Sequence, residues 1–433
     1  MSVKRNLIIL CSVNFLVLLG FGAFNILRPY LVLALKGVLT ELPEKVSSVN
    51  AGEAVIELGL MMSAFMASRS VMSVISGYLG DVFGRKRIIL LGLTLYILVG
   101  LLYGICDSVS KLIILRLVQG IASGMVWPVA AALITESVNI NFRGRAISIY
   151  SMTGNIARMI GPAFGVILYS FTINVLGFID PINAFRAPAV IISLLSFPAF
   201  ILSLMIIEPR IVCRRYKGSH VYNFKSFFSG FSDLTRDVKI TLSIILLNGF
   251  TNGVAMGIFN SVATVFIIEY IVKDPSLLGS IMSLSALAGL LSTYPASWLS
   301  DKIGRKIIVV LAMIPARFSV MVVPFARDYF TLMLIFLVRA ASFNVSMPVM
   351  RALQADIAPR SIRGRVFGLQ EALSNLGFFF GPLIGSYLYY VLKGSVILGF
   401  PGIVIPFFIS GVISFLTLIL FAIFVREPIS IAP

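Results

Sequence analysis

Two parts of this chain repeat one another 220 residues apart, in one register and without a gap. Asp81, Gly84, Arg85 and Lys86 recur as Asp301, Gly304, Arg305 and Lys306 (301 − 81 = 220). The same shift carries Gly59 to Gly279, Pro128 to Pro348, and Arg143-Gly144-Arg145 to Arg363-Gly364-Arg365. It also carries Asn155 to Asn375, and Gly161-Pro162 with Gly165 to Gly381-Pro382 with Gly385. Glu208-Pro209 and Glu427-Pro428 repeat with the register slipped by one. A register held this long is hard to obtain by chance, so the chain reads as two halves of one design.

Composition says what each half is made of. Of 433 residues, 58% are hydrophobic and 12% charged, against about 25% charged in a soluble protein. At about 20 apolar residues per crossing, the length allows a dozen membrane helices with short loops. We place them at 6–35, 53–79, 87–106, 110–137, 143–173, 184–207, 239–271, 276–300, 305–325, 329–356, 363–392 and 401–425. The first run extends far beyond the 7–15 residues of a signal-peptide core, so it reads as a spanning helix. The expected architecture is an all-α membrane protein, with a six-helix half over 1–207, a linker over 208–238 and a second six-helix half over 239–433.

Loop charge predicts the sidedness. Arg85, Lys86, Arg87, Arg143, Arg145, Lys302, Arg305, Lys306, Arg360, Arg363 and Arg365 fall in the even-numbered loops, whereas the odd-numbered loops hold scattered charges such as Lys36, Lys45, Lys273 and Lys393. Positive residues stay inside, which puts both termini in the cytoplasm of a cell-membrane protein. The linker carries Arg210, Arg214, Arg215, Lys217, Lys225, Arg236 and Lys239. Its Phe227-Phe228 pair suits either an amphipathic surface helix or a plain tether. The net charge of +17 thus reflects anionic lipid rather than nucleic acid. Cys11, Cys106 and Cys213 form no metal or redox pattern, and His220 is the single histidine. No metal, cofactor or catalytic constellation is expected, and the chain does not read as an enzyme.

Within this frame, Gly77-x-x-x-Asp81-x-x-Gly84-Arg85-Lys86 resembles the loop signature between helices 2 and 3 of the major facilitator superfamily. Gly84 permits a tight reversal. Asp81, at the wrong pole of a helix dipole, needs a cation or another helix N-terminus. Arg116-x-x-Gln119-Gly120 is similar to the superfamily's helix 4 motif, although Arg116 could instead snorkel to the interface. Glu136 with Arg143, repeated as Asp356 with Arg363, resembles the helix 4–5 pattern of sugar porters, and either pair can join a charge network with Asp81 or Asp301. Gly161-Pro162-x-x-Gly165 is similar to an element of the superfamily's antiporters, and symmetric helix packing would explain it equally.

Charges inside the spans are the clue to substrate, because each needs protein or water around it. Arg69, Arg158, Arg317 and Arg339 lie mid-helix, with Asn25 and Arg28 in helix 1. Arg158 without an acid in reach points to an anionic substrate; pairing with Asn155 and backbone carbonyls is the alternative. Glu371 in helix 11 is the acid best placed to titrate or gate. It could pair with Arg69 in one conformation or with Arg365 or Arg363 in all of them. Many drug:proton antiporters of the superfamily carry an acid in helix 1, where this chain has Asn14 and Asn25.

The resemblance implies a monomeric secondary transporter whose parallel halves alternate access to a midplane site. Its partners would be the lipid bilayer, a small-molecule substrate and a proton or other coupling ion. Substrate and coupling residues would be Asn25, Arg28, Arg116, Asn155, Arg158, Arg339, Glu371 and Asn375. Gating residues would be Arg69, Gly77, Asp81, Gly84, Arg85, Glu136, Arg143, Asp301, Gly304, Arg305, Asp356 and Arg363. The lean is to an organic anion or metabolite exporter. A sugar-type or other solute:proton symporter is the alternative, and a non-transporting sensor on the same fold is the competing class.

Overall fold

The computed structural model describes residues 2–139, 142–208, 234–359 and 362–426. Phe227-Phe228, Arg360, most of the linker and the second Glu-Pro pair therefore lie outside the described residues. Twelve long helices account for nearly all of the remainder. They are α1 (Ser2–Leu35), α2 (Val55–Phe83), α3 (Arg85–Tyr103), α4 (Val109–Ser137), α5 (Arg143–Asn174), α6 (Pro181–Leu204), α7 (Arg236–Tyr270), α8 (Pro275–Ile303), α9 (Arg305–Val322), α10 (Tyr329–Ile357), α11 (Arg363–Leu392) and α12 (Ile405–Phe424). Eleven of them are long and apolar enough to cross a membrane. The exception is α11, whose apolar stretch is diluted by Asn375, three glycines and Tyr387, Tyr389 and Tyr390.

Some boundaries differ from the sequence reading, each for a local reason. The presumed loop from Gly77 to Arg87 is helical except at Gly84, which has φ +93° and separates α2 from α3. Gly304 does the same with φ +101°. A side chain at either position would be strained. α6 starts earlier than expected because Asp180 caps it, its carboxylate accepting from Asn183 N at 3.1 Å, and Pro181 suits the first turn. A short hairpin, β1 (Val396–Ile397) with β2 (Phe400–Pro401), precedes α12. Its turn holds Leu398 and Gly399 at positive φ.

The helices fall into two compact units: Met1–Gly218 with Ile267–Ser283, and Ser219–Phe266 with Leu284–Pro433. In the first unit α1 packs on α5 and α6, α2 on α4, and α3 on α4 and α6. Small residues set the closest approaches. A Cβ on Gly161 would lie 2.9 Å from Gly22 Cα. In the second unit, a Cβ on Gly381 would lie 2.7 Å from Gly257 Cα. Between hydrocarbon-facing helices close backbone contact replaces the hydrophobic drive of water, so the glycine-proline elements of α5 and α11 serve as seats for α1 and α7.

These contacts also give the repeat register of the first helices. Gly257 corresponds to Gly22 with an offset of 257 − 22 = 235, rather than 220. The extra 15 residues are the difference between the α1–α2 connection, 36–54, and the α7–α8 connection, 271–274 (19 − 4 = 15).

Candidate functional site

The Gly84 turn is a charge-lined junction. Arg85, only 9% exposed, bridges Asp81 at 3.2 Å and Glu136 at 2.5 Å. Asp81 thus obtains the cation that its place at a helix C-terminus demands. Glu136 pairs with Arg85 rather than with Arg143, which is exposed on the next helix. Both carboxylates are about a third exposed, so each contact is worth less than the ~1.5–3 kcal/mol of a buried charge-assisted bond. In the second unit Arg305 pairs with Asp356, and Arg363 turns instead to Ala358 O at 3.4 Å. The side chain of Asp301 lies outside the description. Gly77 is exposed with open space around it.

Sequence reading missed Glu208 as a member of this junction. Its Oε1 accepts from Lys86 N at 2.9 Å, at the start of α3, where an anion meets the positive helix pole. A Cβ on Gly84 would lie 2.8 Å from the same carboxylate, so glycine is needed there for space as well as for φ. Lys86 Nζ donates to Leu204 O at 2.6 Å, at the end of α6. Asn6 Nδ2 donates to Ile207 O at 2.7 Å, and Asn6 Oδ1 accepts from Ile207 N at 3.1 Å. The repeated Glu-Pro pair was the available signal.

Deep in the first unit lie Arg28 and Arg116, 5% and 3% exposed. The snorkelling alternative for Arg116 is therefore wrong. Its Nη1 donates to Gln119 Oε1 at 2.6 Å, and its guanidinium lies over the Phe65 ring at 4.5 Å and the Phe21 ring at 5.6 Å. Tyr103 donates to the same Gln119 oxygen at 3.4 Å. The spacing of arginine and glutamine, one helical turn apart, is what allows this bond. Aromatic faces supply part of what a carboxylate would.

A second group in this unit is less buried. Asn25, Asn155 and Arg158 are exposed and Arg69 is half-buried. Arg158 makes no hydrogen bond to Asn155; Arg69 and Tyr150 are the groups that act on it electrostatically. No carboxylate pairs with Arg69 or Arg158 among the described residues. Asn14, the other polar residue of α1, is spoken for: its Nδ2 donates to Tyr150 O at 2.7 Å and to Thr153 Oγ1 at 3.2 Å.

In the second unit Arg317 is 5% exposed and bound by neutral groups, with Nη2 donating to Asn248 Oδ1 at 2.8 Å and Nη1 donating to Ser414 O. Arg339 is half-buried, with Nη2 at 3.1 Å from Met256 Sδ and its guanidinium 3.9 Å from the Phe259 ring centre. Glu371 is exposed and stands 4.0 Å from Arg351, not from Arg365 or Arg363. Asn375 is half-buried, one turn along α11.

Comparison with known proteins agrees with this architecture. The family profile described as "Major Facilitator Superfamily" matches residues 10–270 and 245–432. Multidrug resistance protein 2 of Bacillus subtilis is 22% identical over 77% of this chain and 80% of its own length. Quinolone resistance protein NorA of Staphylococcus aureus is 24% identical over 77% of this chain and 81% of its own length. The crystal structure of a D-xylose–proton symporter superposes with a TM-score of 0.74 at 17% identity, covering 99% of each chain. That of nucleoside transporter NupG, a mutant form, gives 0.72 at 13% identity over 97% of this chain and 100% of its own. With the repeat, the glycine-hinged charge junction in each unit and a profile match over nearly the whole length, this chain belongs to the major facilitator superfamily and is a multi-pass membrane transporter.

Proposed function

We infer that the protein is a secondary active transporter that carries a small organic anion by alternating access. The observation that supports this is the Arg69–Arg158 pair. Two cations within electrostatic reach of each other, on spanning helices and with no carboxylate partner among the described residues, leave net positive charge where the substrate's own charge can offset it. Asn155, also exposed, stands about one turn from Arg158 on α5, and Asn25 is a further exposed amide on α1. The Gly84 and Gly304 junctions act as latches on the cytoplasmic side of the cell membrane, with both termini on that side. Glu371, held only by a long contact to Arg351, is the acid we assign to proton coupling. The protein works as a monomer without cofactor, and its role is transport rather than catalysis.

A second reading, export of drug-like compounds, draws on the names of the Bacillus and Staphylococcus relatives. One experiment separates them. Purified protein in proteoliposomes is offered anionic, neutral and cationic solutes with an imposed pH gradient. Saturable movement of anions, lost in Arg158→Ala and strongly reduced in Arg158→Lys, is the expected result, because lysine keeps the charge without the planar fork. Wild-type rates in Arg158→Ala, or movement confined to cationic drugs, refute the anion reading.

A further inference from the structure

The repeat allows each unit to serve as a control for the other, and it singles out one cavity. In the first unit a small cavity between α1, α3, α4 and α6 is lined by Val17, Phe21, Tyr96, Gly100 and Gln119, among others. In the second unit a cavity is lined by Asn252, Met256, Ala316, Arg317, Val320 and Arg339, among others. These are the same place. On α9 and α10 the offset is 220, so Ala316 replaces Tyr96, Arg317 replaces Ile97 and Arg339 replaces Gln119 (316 − 96 = 317 − 97 = 339 − 119 = 220). On α7 the offset is 235, so Asn252 replaces Val17 and Met256 replaces Phe21 (252 − 17 = 256 − 21 = 235). At positions that line both cavities, a tyrosine and a glutamine in one unit have become an alanine and an arginine in the other; Arg317 lines the second cavity from the position of Ile97, which does not line the first.

This exchange changes the chemistry of the cavity more than its size. No acidic residue lines it, and neither arginine has an ion pair among the described residues. Arg317 spends its two terminal nitrogens on Asn248 and Ser414. Arg339 spends one on a thioether sulfur, a weak acceptor, and rests on a phenyl ring. Its other N–H groups donate no hydrogen bond among the described residues. The free space is small, about that of one compact particle. Two guanidinium groups facing one such space carry uncompensated charge inside a spanning bundle, which is costly. A compact anion cancels that cost and supplies the acceptor that Arg339 lacks.

We propose that the cavity between Arg317 and Arg339 binds one compact monovalent anion of halide size. The site is within the second unit and is distinct from the Arg69–Arg158 group. It does not depend on which solute is transported. The ligand chemistry is a small anion; a free halide is the resident we assign, and the carboxylate end of a solute is the other source of the same chemistry.

The test uses the full-length protein in detergent, with no membrane gradient, so that a failed transport reading leaves it untouched. Bromide is titrated at constant ionic strength against methanesulfonate, which is too large for the cavity, while the thermal midpoint is followed. The midpoint should rise and saturate with bromide, as linkage requires for a ligand that binds the folded state. Bromide NMR line broadening should saturate over the same range. Arg339→Gln restores the residue of the other unit and should weaken bromide binding at least about tenfold. Ala316→Tyr restores the other unit's side chain, keeps both arginines and should abolish binding by filling the space. Acetate competing with bromide supports the site and identifies carboxylate as a second occupant. Absence of a saturable bromide effect overturns the proposal. Binding unchanged in Arg339→Gln or Ala316→Tyr overturns it too, and so does a response to acetate without one to bromide.

Discussion

The glycine-proline element of α5 is a seat for α1, and Gly161→Ala measures how tight that seat is. The new Cβ would lie 2.9 Å from Gly22 Cα and 3.1 Å from both Gly22 C and Leu19 O. Carbon atoms prefer about 3.5–4.0 Å, so α1 and α5 must part locally by roughly 0.5–1 Å. Every atom met is backbone, so no rotamer change relieves the clash. Overpacking of this kind costs about 1–3 kcal/mol, or ~2–12 °C in the unfolding midpoint of a unit this size. Gly144→Ala is the control on the same helix, because its Cβ meets nothing within 4 Å. That variant should change stability by no more than about 1 kcal/mol, in the stabilising direction. The assay is thermal unfolding of the purified variants in one detergent. The second unit offers an independent replicate in Gly381→Ala, at 2.7 Å from Gly257 Cα, against Gly364→Ala, which has open space. If Gly161→Ala unfolds with Gly144→Ala, the packing argument fails. Lost transport at unchanged stability would then assign the element to the transport cycle instead.

Three further outcomes are expected. Glu208→Ala leaves the first turn of α3 without its acceptor and should cost about 1 kcal/mol, with faster hydrogen exchange at Lys86; wild-type exchange there would show that Glu208 is not the cap. Asp81→Asn should leave folded protein, since Arg85 keeps Glu136, but shift the balance of inward- and outward-facing states; unchanged labelling of engineered cysteines along the substrate path would count against the latch. Hydrogen bonds from Thr331 hold the Asp328 carboxyl below its usual range. A depressed folded value means the cap is fully present above the unfolded carboxylate range and is lost as pH falls through the folded one. Protection of the Thr331 amide should therefore fall in acid in the wild type, and a flat acid response there would refute the cap.

The sequence alone was enough to place twelve helical segments, two copies of one six-helix design and a glycine at the hinge of each charged turn; eleven of those helices are long and apolar enough to cross a membrane and α11 is not. Those features are local or periodic. Apolar run length sets the spans, a positive φ demands Gly84 and Gly304, and the 220-residue shift needs no coordinates to be seen. The site was legible only in part. Arg85, Asp81 and Glu136 were all named, yet their pairing was not, because Glu136 has Arg143 seven residues away and Arg85 fifty-one away (136 − 85 = 51). Only the packing of α2, α3 and α4 brings the distant one near. Glu208 was seen as a repeated helix end, but its place on α3 depends on how α6 returns to the start of the bundle. The partner of Glu371 likewise came from α10, through Arg351, and not from the neighbouring arginines of its own helix. The correspondence between the two cavities was hidden for a different reason. The α1–α2 and α7–α8 connections differ in length, so the 220-residue register breaks at those helices, and only the contacts of Gly22 with Gly161 and of Gly257 with Gly381 restore it. Spacing along the chain determines what each helix is; which side chains meet is decided by close approach between helices, and that is a property of the folded bundle alone.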